Sequence, residues 1–127
     1  MAMSTASRKA KGRRFQQYVR DILRQIGTKH GLVDDDYTST GMGQSGVDVI
    51  LSPAAKALFP CYIECKNVES LNVRGTFVDH YEKYKDHAGL KILFHTKNRG
   101  TPLATLRLED FFNLIEENLE LKRSNGN

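Results

Sequence analysis

Residues 61–66 constrain the fold more than any other segment of this sequence. The segment reads Cys-Tyr-Ile-Glu-Cys-Lys, so apolar and reactive side chains alternate along it. Successive side chains of a β-strand point to opposite faces of the sheet. Ile63 and the two cysteines should therefore face a core, while Glu64 and Lys66 lie together on the other face. The pattern predicts a strand with one buried face and one reactive face.

Apolar periodicity along the rest of the chain predicts a mixed α/β domain. Residues 8–26, 53–58, 74–88 and 109–121 show helical spacing or helix signals, and residues 33–40, 47–51, 61–66, 91–96 and 103–108 resemble strands. This order of elements is typical of a central sheet flanked by helices. A length of 127 residues fits a single domain over 1–127, with flexible ends expected at 1–8 and 123–127.

Membrane insertion and a disulfide framework are not expected. No apolar run approaches the length that spans a bilayer, and the first residues lack the apolar core of a secretory signal. These features predict a cytoplasmic location and no membrane partner. Cys61 and Cys65 are too few for a disulfide scaffold, and we interpret both as reduced core residues.

Positive charge is concentrated near the N-terminus. The formal net charge is +4, and residues 8–24 contain seven basic side chains against the single acid Asp21. A cationic helix of this kind is typical of proteins that bind the phosphate backbone, although a solvated helix face has the same pattern. The predicted nucleic-acid contacts are Lys11, Arg13, Arg14, Arg20, Gln44, Ser45, Asn67, Lys97 and Arg99.

An acid inside a second apolar segment indicates a metal site. Asp48 interrupts residues 47–51, which follow a glycine-rich stretch and form the strand expected before residues 61–66. Asp48 could then lie across from Glu64 and Lys66 on the adjacent strand. Two carboxylates suit Mg²⁺ or Mn²⁺, and a neighbouring ammonium can offset charge that develops on a phosphate. The alternative is a strand-end acid beside an ordinary surface pair.

These residues resemble the signature of the PD-(D/E)XK nuclease superfamily. The resemblance rests on residues 46–48 and 63–67, and it implies a restriction-endonuclease-like αβββαβ core. It also implies metal ligation by Asp48, Glu64 and the Cys65 backbone carbonyl, with Lys66 catalytic and Mg²⁺ as the cofactor.

Further segments resemble small phage-borne members of this superfamily that are grouped with Holliday-junction resolvases. These segments are residues 11–15, 51–55, 59–60 and 71–72, and the whole resemblance extends from about residue 9 to residue 115. It implies a homodimer that cuts branched DNA. A nuclease with duplex or single-strand specificity is the alternative within the same fold.

The first predicted helix departs from the family pattern. Many relatives carry an acidic metal ligand there, whereas this chain has Gln16 and Gln17. We expect Gln16 to take part in the site as a neutral amide that holds a metal-bound water. The departure also keeps open a DNA-binding module that has lost catalysis. Asp79 and His80 lie where relatives carry a glutamine.

Overall fold

A computed structural model of the chain describes residues 4–40 and 46–126. In chain order its elements are α1 (Thr5–Thr28), β1 (Tyr37–Ser39), β2 (Val49–Leu51), α2 (Pro53–Leu58), β3 (Cys61–Asn67), α3 (Val73–Tyr84), β4 (Leu90–Thr96), β5 (Leu103–Thr105) and α4 (Leu108–Ser124). The strands form one sheet in the order β1-β2-β3-β4-β5. Only β3 and β4 pair in parallel. The predicted α/β fold with a central mixed sheet is confirmed. Within the described residues, no helix is long and apolar enough to span a bilayer.

The core lies between α1 and one face of the sheet. Phe15 and Val19 of α1 pack in a single cluster with Cys61, Ile63 and Cys65 of β3. The alternation predicted for β3 is therefore confirmed, since the intervening side chains face α3 instead. Both cysteines are buried free thiols, and burial raises the pKa of each one.

The strand predicted over residues 33–40 is wrong in its first half. Asp34–Asp36 form a 3-10 turn, and β1 begins only after it. The Asp36 carboxylate accepts hydrogen bonds from the Val33 amide at 2.7 Å and from the Ser52 hydroxyl at 2.6 Å. Short acidic side chains that capture local donors favour turns over strands. The three aspartates therefore shorten the strand.

The helix ends differ from the predicted bounds because capping groups set them. Helix α1 begins at Thr5 because the Ser4 hydroxyl accepts a hydrogen bond from the Ser7 amide at 3.1 Å. Residues 5–8 are thus helical, and the flexibility expected at this end stays a prediction. Helix α4 likewise continues to Ser124, beyond its predicted end at residue 121.

Residues 85–88 were predicted to be helical, but they form a turn after α3. Helix α3 ends at Tyr84, and the chain reverses at Gly89, whose φ is 128°. The buried Lys91 ammonium donates to the carbonyls of His87 and Gly89, the latter at 2.9 Å. These bonds satisfy carbonyls of the turn that follows the helix. Strand β5 is also shorter than predicted and stops at Thr105.

Replacement of the buried isoleucine of β3 should cost much of the folding free energy. Ile63 is completely buried between α1 and the sheet, so Ile63→Ala should lower the free energy of unfolding by about 3–4 kcal/mol. Urea titration followed by circular dichroism measures this loss. Ile50→Ala is the matched control, because Ile50 is 48% exposed on β2 and should cost less than about 1 kcal/mol. Equal losses would contradict the assignment of the core to the α1 face.

Candidate active site

The site forms where β2 and β3 separate. Asp48 immediately precedes β2, whereas the sequence predicted it inside that strand. Its amide donates to the Ile63 carbonyl at 2.8 Å, and its carboxylate oxygen Oδ2 accepts from the Cys65 amide at 2.7 Å. Backbone and side chain of Asp48 are thus both bound to β3. The predicted juxtaposition of Asp48 with the reactive strand follows from these two bonds.

Glu64 and Lys66 lie together on the α3 face of β3. The Lys66 ammonium is 3.8 Å from Glu64 Oε1, and the side chains are 44% and 23% exposed respectively. The lysine therefore reaches solvent while the carboxylate sits deeper beside the sheet. This arrangement presents a cation at the mouth of a partly buried acidic pocket.

Asp48 is close enough to Glu64 to alter the ionisation of that carboxyl. The pKa of Glu64 is raised to about 7, mainly by burial and then by the Asp48 charge and a hydrogen bond with Asp48, while the charges of Lys66 and Lys83 act to lower it. Two carboxylates that share a small site resist double ionisation. In the absence of a cation, Glu64 therefore holds a proton below about pH 7.

His80 of α3 is a member of the site that sequence reasoning did not identify as one. Its ring is buried, with Nε2 2.8 Å from the Tyr62 carbonyl and Nδ1 3.8 Å from Glu64 Oε2. A carbonyl only accepts, so Nε2 carries the proton and the Nδ1 lone pair faces Glu64. Burial is the main cause that lowers the pKa of His80. Its helical spacing from the buried Phe77 is the sequence signal that places it on the inner face of α3.

The oxygen atoms around Asp48 fit a hard divalent cation. Asp48 and Glu64 supply carboxylates, and the backbone of Cys65 contributes to the same edge. In a strand, the amide and carbonyl of one residue point to the same side, so the Cys65 carbonyl faces Asp48 as its amide does. Across residues 4–40 and 46–126, no group of three His, Cys, Asp or Glu side chains is placed to hold a metal. A cation here would thus need backbone, water or phosphate oxygens as well, as Mg²⁺ commonly does.

Gln16 lies on α1, across the sheet from the reactive face of β3. Its side chain is buried at 5% exposure, whereas the neighbouring Gln17 is half-buried. Its neighbours Phe15 and Val19 pack on the apolar face of β3, while Glu64 faces α3. A role for Gln16 in the site stays a prediction.

Glu69 links several predicted DNA-contact residues to the end of β3. It lies 3.5 Å from the ammonium of the buried Lys11 and accepts a hydrogen bond from the Asn98 amide at 3.3 Å. The first turns of α1 and the turn after β4 therefore meet beside Asn67, the last residue of β3. That is the end of the strand where Lys66 also lies.

The predicted DNA contacts differ in exposure. Arg13 and Arg14 are exposed on α1, and Lys97 and Arg99 are exposed on the turn after β4. Arg20 instead pairs with Asp21 at 2.9 Å and lies 3.4 Å from the Ser39 hydroxyl. Asn67 is half-buried. Gln44 and Ser45 lie outside the described residues.

The fold and the site together define an α/β nuclease domain of the PD-(D/E)XK type. The family model described as a restriction endonuclease, Mrr_cat, matches residues 7–115. Because this match covers most of the chain, the chain belongs to that restriction endonuclease family. No curated protein and no solved structure matches the chain.

Removing the charge of Glu64 should stabilise the protein when no metal is bound. The pKa of Glu64 is raised in the fold, so the folded state holds a proton that the unfolded state releases between about pH 4.5 and 7. The free energy of unfolding should therefore fall as pH rises through this range. Glu64→Gln should remove this fall and stabilise the protein by on the order of 2 kcal/mol at pH 8.

Thermal unfolding in EDTA between pH 5 and 8 measures the effect. Glu116→Gln, an exposed carboxyl of α4, is the matched control and should leave the wild-type pH profile in place. If Glu64→Gln kept the wild-type pH profile, that result would contradict the raised pKa of Glu64.

Proposed function

We propose that this chain is a Mg²⁺-dependent DNA endonuclease that cuts branched DNA as a homodimer. Membership of a nuclease family implies DNA as the substrate. The observation that carries the proposal is the placement of Asp48 beside Glu64 and Lys66 on the central strand β3. Junction selectivity and the homodimer rest on the resemblance to small resolvase-like members.

The donor set supports Mg²⁺ as the cofactor, and Mn²⁺ should substitute for it. Asp48, Glu64 and the Cys65 carbonyl would hold the cation through hard oxygens. When bound, it would supply Lewis-acid activation of the scissile phosphate and of water. Cation binding would also displace the proton that Glu64 retains below about pH 7.

The protein side chains have separate roles in the proposed hydrolysis. The oxygen of water bonds to phosphorus as the water loses a proton to solvent, the ester P–O bond breaks, and the leaving oxygen takes up a proton. Lys66 is placed to stabilise negative charge on the phosphate, because its ammonium lies at the exposed mouth of the site. Asp48 and Glu64 orient the reacting groups, and the buried His80 ring restrains Glu64 from behind.

The path of the DNA backbone is supported by the common position of the cationic groups. The contacts of Glu69 bring Lys11 and the turn after β4 to the Lys66 end of β3. The exposed Arg13 and Arg14 follow Lys11 on α1. Backbone contacts from these side chains would position the scissile phosphate without reading sequence.

Cleavage of a labelled four-way junction and its matched duplex tests the function. With Mg²⁺ or Mn²⁺ the wild-type protein should nick the junction symmetrically, and EDTA should abolish nicking. Lys66→Ala should lower the cleavage rate by roughly 100-fold or more while DNA binding persists, because a charge-stabilising donor is lost. Lys85→Ala, at an exposed lysine just after α3, is the matched control and should cleave as wild type does.

The other outcomes separate the alternatives. Equal cleavage of duplex, flap or single-strand substrates would replace junction selectivity with a simpler specificity. If the wild type bound every DNA substrate but cleaved none, the proposed enzyme activity would be overturned and the chain would be a DNA-binding module. That result would fit the neutral Gln16 at the position where relatives carry an acid.

Arginine replacement on α1 should weaken DNA binding without a change in sequence preference. Arg13→Ala and Arg14→Ala should each reduce the slope of log affinity against log salt by about 1, if each neutralises one phosphate. Fluorescence anisotropy across a salt series measures the slope. Lys29→Ala, an exposed lysine just after the other end of α1, is the control and should leave the slope unchanged.

A further inference from the structure

Helix α4 has an apolar stripe that its own domain does not cover. Five large side chains lie along one side of the helix and are each at least 42% exposed: Leu108, Phe111, Phe112, Ile115 and Leu119. Within α4 only Asp110 and Leu114 are partly buried, and they lie on a different side. The helix therefore contacts its own domain with one side and turns the stripe to solvent.

An apolar groove is open elsewhere on the same chain. Its volume is about 340 Å³, with Tyr18, Ile22 and Ile26 of α1 on one side and Phe94, Pro102 and Ala104 on the other. On its own face of the sheet, helix α1 covers strands β1, β2 and β3. The groove lies beside β4 and β5, which α1 leaves uncovered. Tyr18 and Ile26 are about half exposed there. Soluble monomers rarely leave such a surface open beside a second apolar stripe.

The start of α4 keeps its stripe away from this groove within one chain. Arg107, just before the helix, stacks 4.9 Å from the Tyr81 ring of α3 and pairs with Asp110 at 3.3 Å. Helix α3 lies on the opposite face of the sheet from α1. Only two residues separate β5 from α4. The helix therefore starts on the α3 face of the sheet, whereas the groove of its own domain lies on the α1 face.

The charges of the two helices are complementary. Helix α1 carries seven basic side chains and one acid, whereas α4 carries five acids and two bases. The exposed Arg14 of α1 and Lys29 just after it lie at helical spacing from Tyr18 and Ile26, so an α4 helix from another molecule would bring its acids to these cations beside the apolar contact. Such complementarity steers association and disfavours pairing of α4 with a second α4.

We propose that the α4 stripe of one copy fills the α1–β5 groove of a second copy, and that the exchange is reciprocal. Each stripe exposes on the order of 400 Å². In a two-fold pair each copy buries both its stripe and its groove, which approaches the about 800 Å² per partner of a stable interface. This surface gives a structural basis to the homodimer of the proposed function, but it does not depend on the nuclease chemistry.

Sedimentation equilibrium of the full chain tests the interface. The wild type should sediment at twice its 14.4 kDa mass. Ile115→Glu on the stripe and Ile22→Glu on the groove should each raise the dimer dissociation constant by roughly 30-fold or more. Leu121→Glu, which is 64% exposed on α4 outside the stripe, is the matched control and should leave the constant within about 3-fold.

Cross-linking identifies which surfaces meet. Ile115→Cys and Ile22→Cys chains, mixed and treated with a short bismaleimide, should give a covalent dimer that neither variant gives alone. Wild type corrects for Cys61 and Cys65, which are buried. A dimer formed by Ile115→Cys alone would mean that two α4 helices pair and would overturn the proposal. A monomeric wild type would overturn it too, whereas a monomer that still cleaves DNA would leave the nuclease function standing.

Discussion

Two hydrogen bonds hold Asp48 against β3, and the geometry of the whole site depends on them. The Asp48 amide binds the Ile63 carbonyl, while its carboxylate binds the Cys65 amide. Strand β2 pairs with β3 only through Val49 and Ile63, so Asp48 lies where the strands begin to separate. The carboxylate turns back toward β3 because an amide there is free to donate. Residues far apart in sequence thereby share one small site with Glu64.

The proximity of the Asp48 and Glu64 carboxylates costs folding free energy, and burial of the core beneath the site offsets this cost. Two carboxylates beside each other in a partly buried place raise the pKa of Glu64 and disfavour the doubly charged state. On the opposite face of the same strand, Ile63 is fully buried against α1. Burial of that apolar face fixes β3 rigidly enough to hold the like charges together. A strand with two chemically different faces thus provides stability on one side and reactivity on the other.

The two faces of the sheet are covered unequally. Helix α3 lies over the reactive face and brings His80 to Glu64, whereas α1 covers only part of the apolar face. The uncovered part beside β5 and the bare stripe of α4 are complementary in hydrophobicity and charge. Neither surface contributes to the candidate active site. Their separation from Lys66 allows assembly and chemistry to be tested by different substitutions.

The sequence alone determined the fold class and the two faces of β3, because these depend on local periodicity. Alternation along β3 assigned Glu64 and Lys66 to one face, and an acid in an apolar segment made Asp48 a candidate for the same site. Strand bounds near Asp34–Asp36 and helix ends were wrong, since capping contacts decided them. Only the tertiary structure brought His80 to Glu64 and raised the pKa of that carboxyl. Burial and proximity between distant segments arise from packing, which local sequence patterns do not encode.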